Sequence, residues 1–181
     1  MKTDNIERYL SSFANTVVED SKKLLYSEKG STALGSSIRA KVEAEPNGFS
    51  VKFYMADYGT FLDKGVSGSK KKRSFTNIKG RKESSPYSYT TKGPPIDILS
   101  KWIKKKGIKG HGMKKGRSKN TGQYISGLAI YISHKIKIRG IKSLSFFQKP
   151  LHLWYDKLQD DFLKEFTKDV SLYITTFTKH K

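Results

Sequence analysis

Residues 38–55 read IRAKVEAEPNGFSVKFYM, two runs in which every second residue is apolar, joined by Pro46-Asn47-Gly48. Alternation with a period of two is typical of strands that bury one face, and Asn-Gly favours a tight turn between two such strands. The stretch therefore predicts a β-hairpin. Its apolar face requires a covering layer of helices, and comprises Ile38, Ala40, Val42, Ala44, Phe49, Val51, Phe53 and Met55.

Segments before and after the hairpin in the sequence have apolar residues at helical spacing, and these predict the helices of the covering layer. Residues 4–27 predict an amphipathic helix that opens on the acidic pair Asp4 and Glu7. Pro94-Pro95 opens a second helix, whose predicted buried stripe is Ile96, Leu99, Trp102 and Ile103 and which Gly107 ends. Tyr124 to Ile136 and Leu151 to Lys168 predict two more helices, and the β-branched segment Val170 to Thr178 predicts a last strand.

The predicted class is α+β: an N-terminal helix, an antiparallel hairpin sheet packed on two to three helices, a C-terminal strand and long basic loops. A chain of 181 residues fits one domain, 1–181, with extended basic loops at about 66–90 and 107–122. Cysteine is absent from the sequence, and acids near the N-terminus are atypical of a signal peptide. We expect a protein made in the cytoplasm with no membrane segment.

Positive charge is concentrated in one region. Residues 64–155 hold 23 Lys and Arg against two acids, whereas the rest of the chain sums to −1. Positive charges held this close together repel one another and destabilise a compact fold unless a polyanion or an acidic surface neutralises them. The loop cations are therefore predicted either to contact phosphates without reading sequence or to reach neighbouring subunits of a symmetric assembly. They are Lys70, Lys71, Lys72, Arg73, Lys79, Arg81, Lys82, Lys114, Lys115, Arg117 and Lys119.

The run Tyr58-Gly59-Thr60-Phe61-Leu62-Asp63-Lys64-Gly65-Val66-Ser67-Gly68 resembles a pattern of the head–tail joining, or tail-completion, proteins of tailed bacteriophages. In that pattern a strand ends in Tyr-Gly and a short turn leads to Asp/Glu-x-Gly. Three later segments resemble the versions found in crAss-like phages: Ser88 to Pro95, Trp102 to Gly107 and Phe146 to Pro150.

The resemblance implies a non-enzymatic virion protein that forms a ring, of twelve or six copies, in the head–tail connector. Its implied partners are further copies of itself, the portal or adaptor ring, tail proteins and packaged DNA in the channel. Tyr58, Gly59, Phe61, Leu62 and Gly65 match the family turn and would be structural: the glycines for close or left-handed backbone, Phe61 and Leu62 as core anchors. The alternative is a non-specific DNA- or RNA-binding protein of about the same fold.

Catalytic patterns are sparse in this sequence. The four histidines form no His-x-x-x-His pair, and Asp156, Asp160 and Asp161 alternate with lysines as on a solvated helix face. Asp57 and Asp63 allow a third hypothesis, a magnesium-dependent nuclease, although Asp63 is better explained as a turn cap. The glycines of residues 107–112 follow a helix and not a strand, so they are better explained as turn residues of a loop than as a phosphate-binding site. We therefore expect no enzyme activity, no cofactor and no metal.

Overall fold

The computed structural model of the chain describes residues 4–30, 32–108, 115–117 and 124–179. Its helices and strands confirm the α+β class. In chain order they are α1 Asp4–Lys29, α2 Ala33–Ser37, β1 Arg39–Glu45, β2 Gly48–Tyr54, α3 Gly59–Lys64, β3 Ser74–Thr76, β4 Lys82–Ser84, α4 Ile96–Lys105, β5 Lys115–Arg117, β6 Tyr124–Ser126, α5 Gly127–Arg139 and α6 Gln148–Lys179.

The chain divides into two compact units, where the sequence predicts one domain. Unit 1 contains residues 1–63, 76–82 and 144–181, and unit 2 contains residues 64–75 and 83–143. The chain passes from one unit to the other after residues 63, 75, 82 and 143. No Pro- or Gly-rich linker marks these points, so composition gives no signal of the division.

Unit 1 is built on the predicted hairpin. β1 and β2 pair antiparallel in the register Ala40 with Phe53 and Val42 with Val51, so the apolar positions share one face. A core of five buried residues lies against this face and helix α1: Val18, Leu25, Leu34, Ile38 and Phe146. Burial of this apolar surface is the main stabilisation of the unit.

Helix α6 corrects the sequence prediction at the C-terminus, because it continues through Val170 to Lys179 where a strand was expected. Its Asp169 is 2% exposed and lies at the start of α1. The Asp169 carboxylate accepts hydrogen bonds from the Ile6 amide at 3.1 Å and the Asn5 side-chain amide at 2.8 Å. Tertiary bonding to the positive end of α1, together with one added hydrogen bond per helical residue, outweighs a weak β propensity.

Unit 2 is built around α4 and α5. Ser133 of α5 donates its hydroxyl proton to the Pro94 carbonyl at 2.7 Å, which fastens α5 to the turn that precedes α4. An antiparallel bridge joins Val66 to Ile141 just beyond the end of α5. Gly140 turns the chain there with φ of +68°, and a Cβ at this position would lie 2.1 Å from the Val66 carbonyl oxygen. Only glycine fits this turn.

The segment predicted as a long basic arm is folded in its first half. Residues 65–68 are buried, Val66 and Ser67 each make a β-bridge, and Phe75 is 7% exposed. The prediction of an extended arm is therefore wrong over this stretch, because its backbone polar groups find partners on distant parts of the chain. Most of the second predicted loop, residues 107–122, lies outside the described residues.

Candidate functional site

Most of the positive charge belongs to unit 2. The 73 residues of unit 2 carry 19 Lys and Arg against Glu83 and Asp97, a formal charge of +17, while unit 1 carries +3. Two carboxylates cannot neutralise 19 cations, whatever pairs they form. Unit 2 is therefore the part of the protein whose electrostatic field requires an external anion.

The lysine-rich segment 69–73, here called the lysine loop, is anchored on the C-terminus of α5. The amides of Ser69 and Lys70 donate to the carbonyls of Lys137 and Ile138 at 2.8 and 3.1 Å, and Arg73 Nε donates to the Arg139 carbonyl at 2.9 Å. These are carbonyls that a helix end leaves unpaired, and the negative end of the helix dipole favours cations beside it.

Three of the four cations in the lysine loop remain available for a ligand. Arg73 is half-buried and bonded to α5, whereas Lys70, Lys71 and Lys72 are exposed. The Lys71 carbonyl accepts from the Gly68 amide at 2.9 Å, and the Arg73 amide donates to Ser67 Oγ at 3.0 Å. The backbone of the loop is thus fixed while three ammonium groups face solvent.

The second predicted group, Lys79, Arg81 and Lys82, is exposed but belongs to unit 1 up to residue 82. Asn77 forms its turn, since Asn77 Oδ1 accepts from the amides of Lys79 and Arg81, both at 2.9 Å. The structure therefore assigns these cations to a different compact unit from Lys70, Lys71 and Lys72. Sequence proximity alone had suggested one continuous basic arm.

The third predicted group, Lys114, Lys115, Arg117 and Lys119, lies partly outside the described residues. Lys114 and Lys119 are outside the described residues, as is the glycine run from residue 109 onward. Lys115 and Arg117 lie at the two ends of β5, which pairs antiparallel with β6 in the register Lys115 with Ser126 and Arg117 with Tyr124.

Helix α4 exposes one residue that the sequence predicts to be buried. Ile103 is 5% exposed, and Ile96 and Leu99 are half-buried, but Trp102 is 45% exposed. The prediction of Trp102 in the buried stripe is therefore wrong, because the stripe is centred on Ile96, Leu99 and Ile103 and leaves position 102 on its flank.

The outward face of α4, here called the α4 face, consists of Ile98, Lys101, Trp102 and Lys105 at positions i, i+3, i+4 and i+7. Ile98 is 59% exposed, and both lysines are exposed. Residues with this spacing lie in one row along a helix. A ring system flanked by two ammonium groups thus projects from the basic unit.

The residues that match the family turn divide into buried and exposed positions. Gly59 is buried beside Met55 and Leu34, where a Cβ would meet side-chain atoms at 2.7 and 2.8 Å. Leu62 packs on the core, and Gly65 adopts φ of +71°, as expected of residues that fix the base of the turn. Tyr58 and Phe61 are 48% and 42% exposed, so Phe61 does not serve as a core anchor.

The same turn differs locally from the family description. The strand ends at Tyr54, four residues before Tyr58, and the matched residues Gly59, Phe61 and Leu62 lie in helix α3. The chain leaves the strand because the Ala56 amide donates to Ser37 Oγ at 3.0 Å, and because Gly59 N–H closes a turn on the Ala56 carbonyl at 2.8 Å.

Asp63 links this turn to the segment Phe146 to Pro150. Its carboxylate is 2% exposed, and Oδ1 accepts from the Phe147 amide at 2.8 Å and the Gln148 amide at 3.4 Å. Asp63 thus caps the first turn of α6, where an anion is favoured. The sequence predicts that Asp63 caps its own turn, whereas the structure gives its carboxylate a role at a helix start 84 residues further along the chain.

The described residues hold no cluster of three His, Cys, Asp or Glu side chains with the geometry of a metal site. Asp57 is exposed and Asp63 is occupied as a helix cap, so the pair does not resemble a magnesium site. Within the same residues, no helix has the length and apolar character needed to cross a bilayer. Comparison with protein-family models, with curated proteins and with solved structures finds no match to this chain.

Proposed function

We propose that this chain is a structural protein of the head–tail connector of a tailed bacteriophage, with a position in the virion and no catalytic role. In this proposal, twelve or six copies form a ring that contacts the portal or adaptor ring on one side and tail proteins on the other. Packaged DNA passes through the ring.

One contact carries this proposal: the Asp63 carboxylate on the amides of Phe147 and Gln148. The two segments that it joins, Tyr58 to Gly68 and Phe146 to Pro150, each resemble the connector pattern separately. If the resemblance were accidental, nothing would require these distant segments to meet. Their meeting at a buried carboxylate supports a shared structural element.

The decisive experiment measures whether the protein is a component of particles. Nuclease-treated virions of the phage that encodes the chain are purified, and quantitative mass spectrometry gives the ratio of this chain to the portal subunit. A fixed ratio near one or one half supports the connector ring. Absence from particles, with the chain abundant in infected cells, would refute it.

A second function, non-specific binding of DNA or RNA by a free protein, is favoured by the charge of +17 on unit 2. Each lysine that neutralises a duplex phosphate contributes about 0.9 to the slope of log K against log salt concentration. Replacing Lys70, Lys71 and Lys72 by Gln should then lower that slope by about 2.7.

The control for this triple variant replaces Lys29, Lys149 and Lys157 by Gln, three exposed lysines of unit 1 that lie outside the predicted basic loops. An equal change in slope for both triple variants would show a general charge effect and would remove the lysine loop from the proposal.

A further inference from the structure

We propose that the α4 face is a binding site for single-stranded nucleic acid, in which Trp102 stacks on an unpaired base while Lys101 and Lys105 contact the flanking phosphates. The proposal rests on the second function above and names its site and its ligand class. It does not depend on assembly into a ring.

The composition of the α4 face supports this ligand. Single-stranded nucleic acids are bound by aromatic rings that stack on bases beside cations that follow the backbone. Trp102 is 45% exposed, and Lys101 and Lys105 lie one position before it and one helical turn after it. Exposed Ile98 extends the apolar platform one turn toward the start of α4.

The charge of unit 2 decides between a nucleic acid and other occupants of this face. A second copy of the chain brings two units of positive net charge, +17 and +3, and so adds no net negative charge to balance that of unit 2. A nucleic acid brings one negative charge per nucleotide and neutralises many lysines at once. Of the 19 cations in unit 2, 16 are lysines, mobile point charges that suit phosphate contact without sequence readout.

The indole ring decides between single-stranded and duplex ligands. In a duplex the bases are stacked on one another, so a ring on the surface of a helix meets only their edges. An unpaired base presents its whole face to the ring, and such stacking is worth about 1–3 kcal/mol, or about 5- to 150-fold in affinity. The α4 face should therefore favour single strands, whereas the lysine loop should not distinguish them from duplex.

The test compares the binding of the full chain to a fluorescein-labelled oligo-dT of twenty nucleotides and to a duplex of equal length, by anisotropy over a range of salt concentrations. We expect Trp102→Ala to weaken oligo-dT binding about tenfold and duplex binding less than twofold, and Trp102→Phe to retain most of the affinity. The Lys101→Gln, Lys105→Gln double variant should lower the single-strand salt slope by about 1.4.

Two controls separate the site from general effects. Lys29→Gln with Lys149→Gln removes the same charge from unit 1 and should leave the preference for single strands unchanged. The protein has two tryptophans, and Trp154 lies in unit 1 with its Nε1–H donated to Asp20 at 2.9 Å. In a Trp154→Phe background the remaining fluorescence reports Trp102, and oligo-dT should quench it.

Each failure has a distinct meaning. Oligo-dT binding that Trp102→Ala leaves unchanged, or weakens equally for duplex, overturns the stacking site while nucleic-acid binding stands. Absence of binding to both oligonucleotides overturns both proposals of nucleic-acid binding, and binding to polyglutamate in their place would favour an acidic protein as the ligand of unit 2. Circular dichroism of each variant identifies a loss of fold, which is not expected because Trp102 is half exposed.

Discussion

Replacement of Asp63 by Ala tests the contact on which the connector proposal depends. The substitution removes the acceptor for the amides of Phe147 and Gln148 at the first turn of α6. Loss of a helix N-cap costs about 0.5–2 kcal/mol, and a buried amide left without a partner costs about 1–3 kcal/mol. These terms overlap, so we expect the free energy of unfolding to fall by about 2–3 kcal/mol.

Thermal unfolding followed by circular dichroism at 222 nm measures this loss. For a chain of 150–250 residues, 1 kcal/mol shifts Tm by about 2–4 °C, so Asp63→Ala should lower Tm by about 4–12 °C. Asp63→Asn keeps one carbonyl acceptor and should lie between Asp63→Ala and the wild type. Asp57→Ala is the control, since Asp57 is exposed and its replacement should change stability by less than about 0.5 kcal/mol.

The reasoning is refuted if Asp63→Ala unfolds at the same temperature as Asp57→Ala. That result would mean that the first turn of α6 is satisfied by solvent, and that the meeting of the two family-like segments contributes nothing to the fold. The contact between Asp63 and the amides of Phe147 and Gln148 would then contribute nothing to stability, and it would no longer support the connector proposal.

Three further predictions concern other contacts. Gly140→Ala should destabilise the protein by at least about 3 kcal/mol, because left-handed backbone costs about 1–2 kcal/mol and the new Cβ lies 2.1 Å from the Val66 carbonyl oxygen. Gly107→Ala is the control: Gly107 has φ of +64° but open space around it, so its replacement should cost only the strain of left-handed backbone, about 1–2 kcal/mol. Asp169→Ala should accelerate hydrogen exchange at the Ile6 amide, an effect that Asp160→Ala, on the exposed face of α6, should lack. Hydrogen bonds from Lys52 and Lys41 lower the pKa of Glu43 to about 2 from 4.5. Because the pKa of Glu43 is lower in the folded state, its stabilisation is complete above about pH 4.5 and is lost as the pH falls toward 2. Glu43→Gln should therefore reduce the dependence of the free energy of unfolding on pH between these values. An unchanged dependence would show that the ion pairs of Glu43 with Lys41 and Lys52 are broken in solution.

The parts of the fold that sequence predicts are those encoded by local periodicity. The hairpin follows from alternation around Pro46 and Asn47, and α1 follows from helical spacing between Ile6 and Leu25. In each case the residues that determine the element are neighbours in sequence. The extent of α6 beyond Lys168 was not predictable in this way, because Asp169 is held by the first turn of α1.

The candidate site was predictable in charge but not in geometry. Composition identified the basic region, yet a run of Ser, Lys and Gly looks the same whether it is solvated or bonded elsewhere. The amides of Ser69 and Lys70 find their acceptors on α5, 68 residues away, and no periodicity in the sequence indicates such a contact. Trp102 was misplaced because a helical stripe specifies a face to within about one residue position.

Anchorage of the lysine loop on α5 changes the thermodynamics of ligand binding there. A disordered cationic tail must be ordered by its ligand, at about 1–2 kcal/mol of backbone entropy per residue, or about 5–10 kcal/mol for five residues. Most of this cost is met in folding, since the amides of Ser69 and Lys70 are bonded to the end of α5 and the main chain of Lys71 and Arg73 is bonded to residues 67 and 68. A polyanion need restrict only side-chain rotamers, at about 0.5–1.5 kcal/mol for each lysine that it immobilises. Lys70, Lys71 and Lys72 are thus preorganised, and association with them should proceed without a folding step.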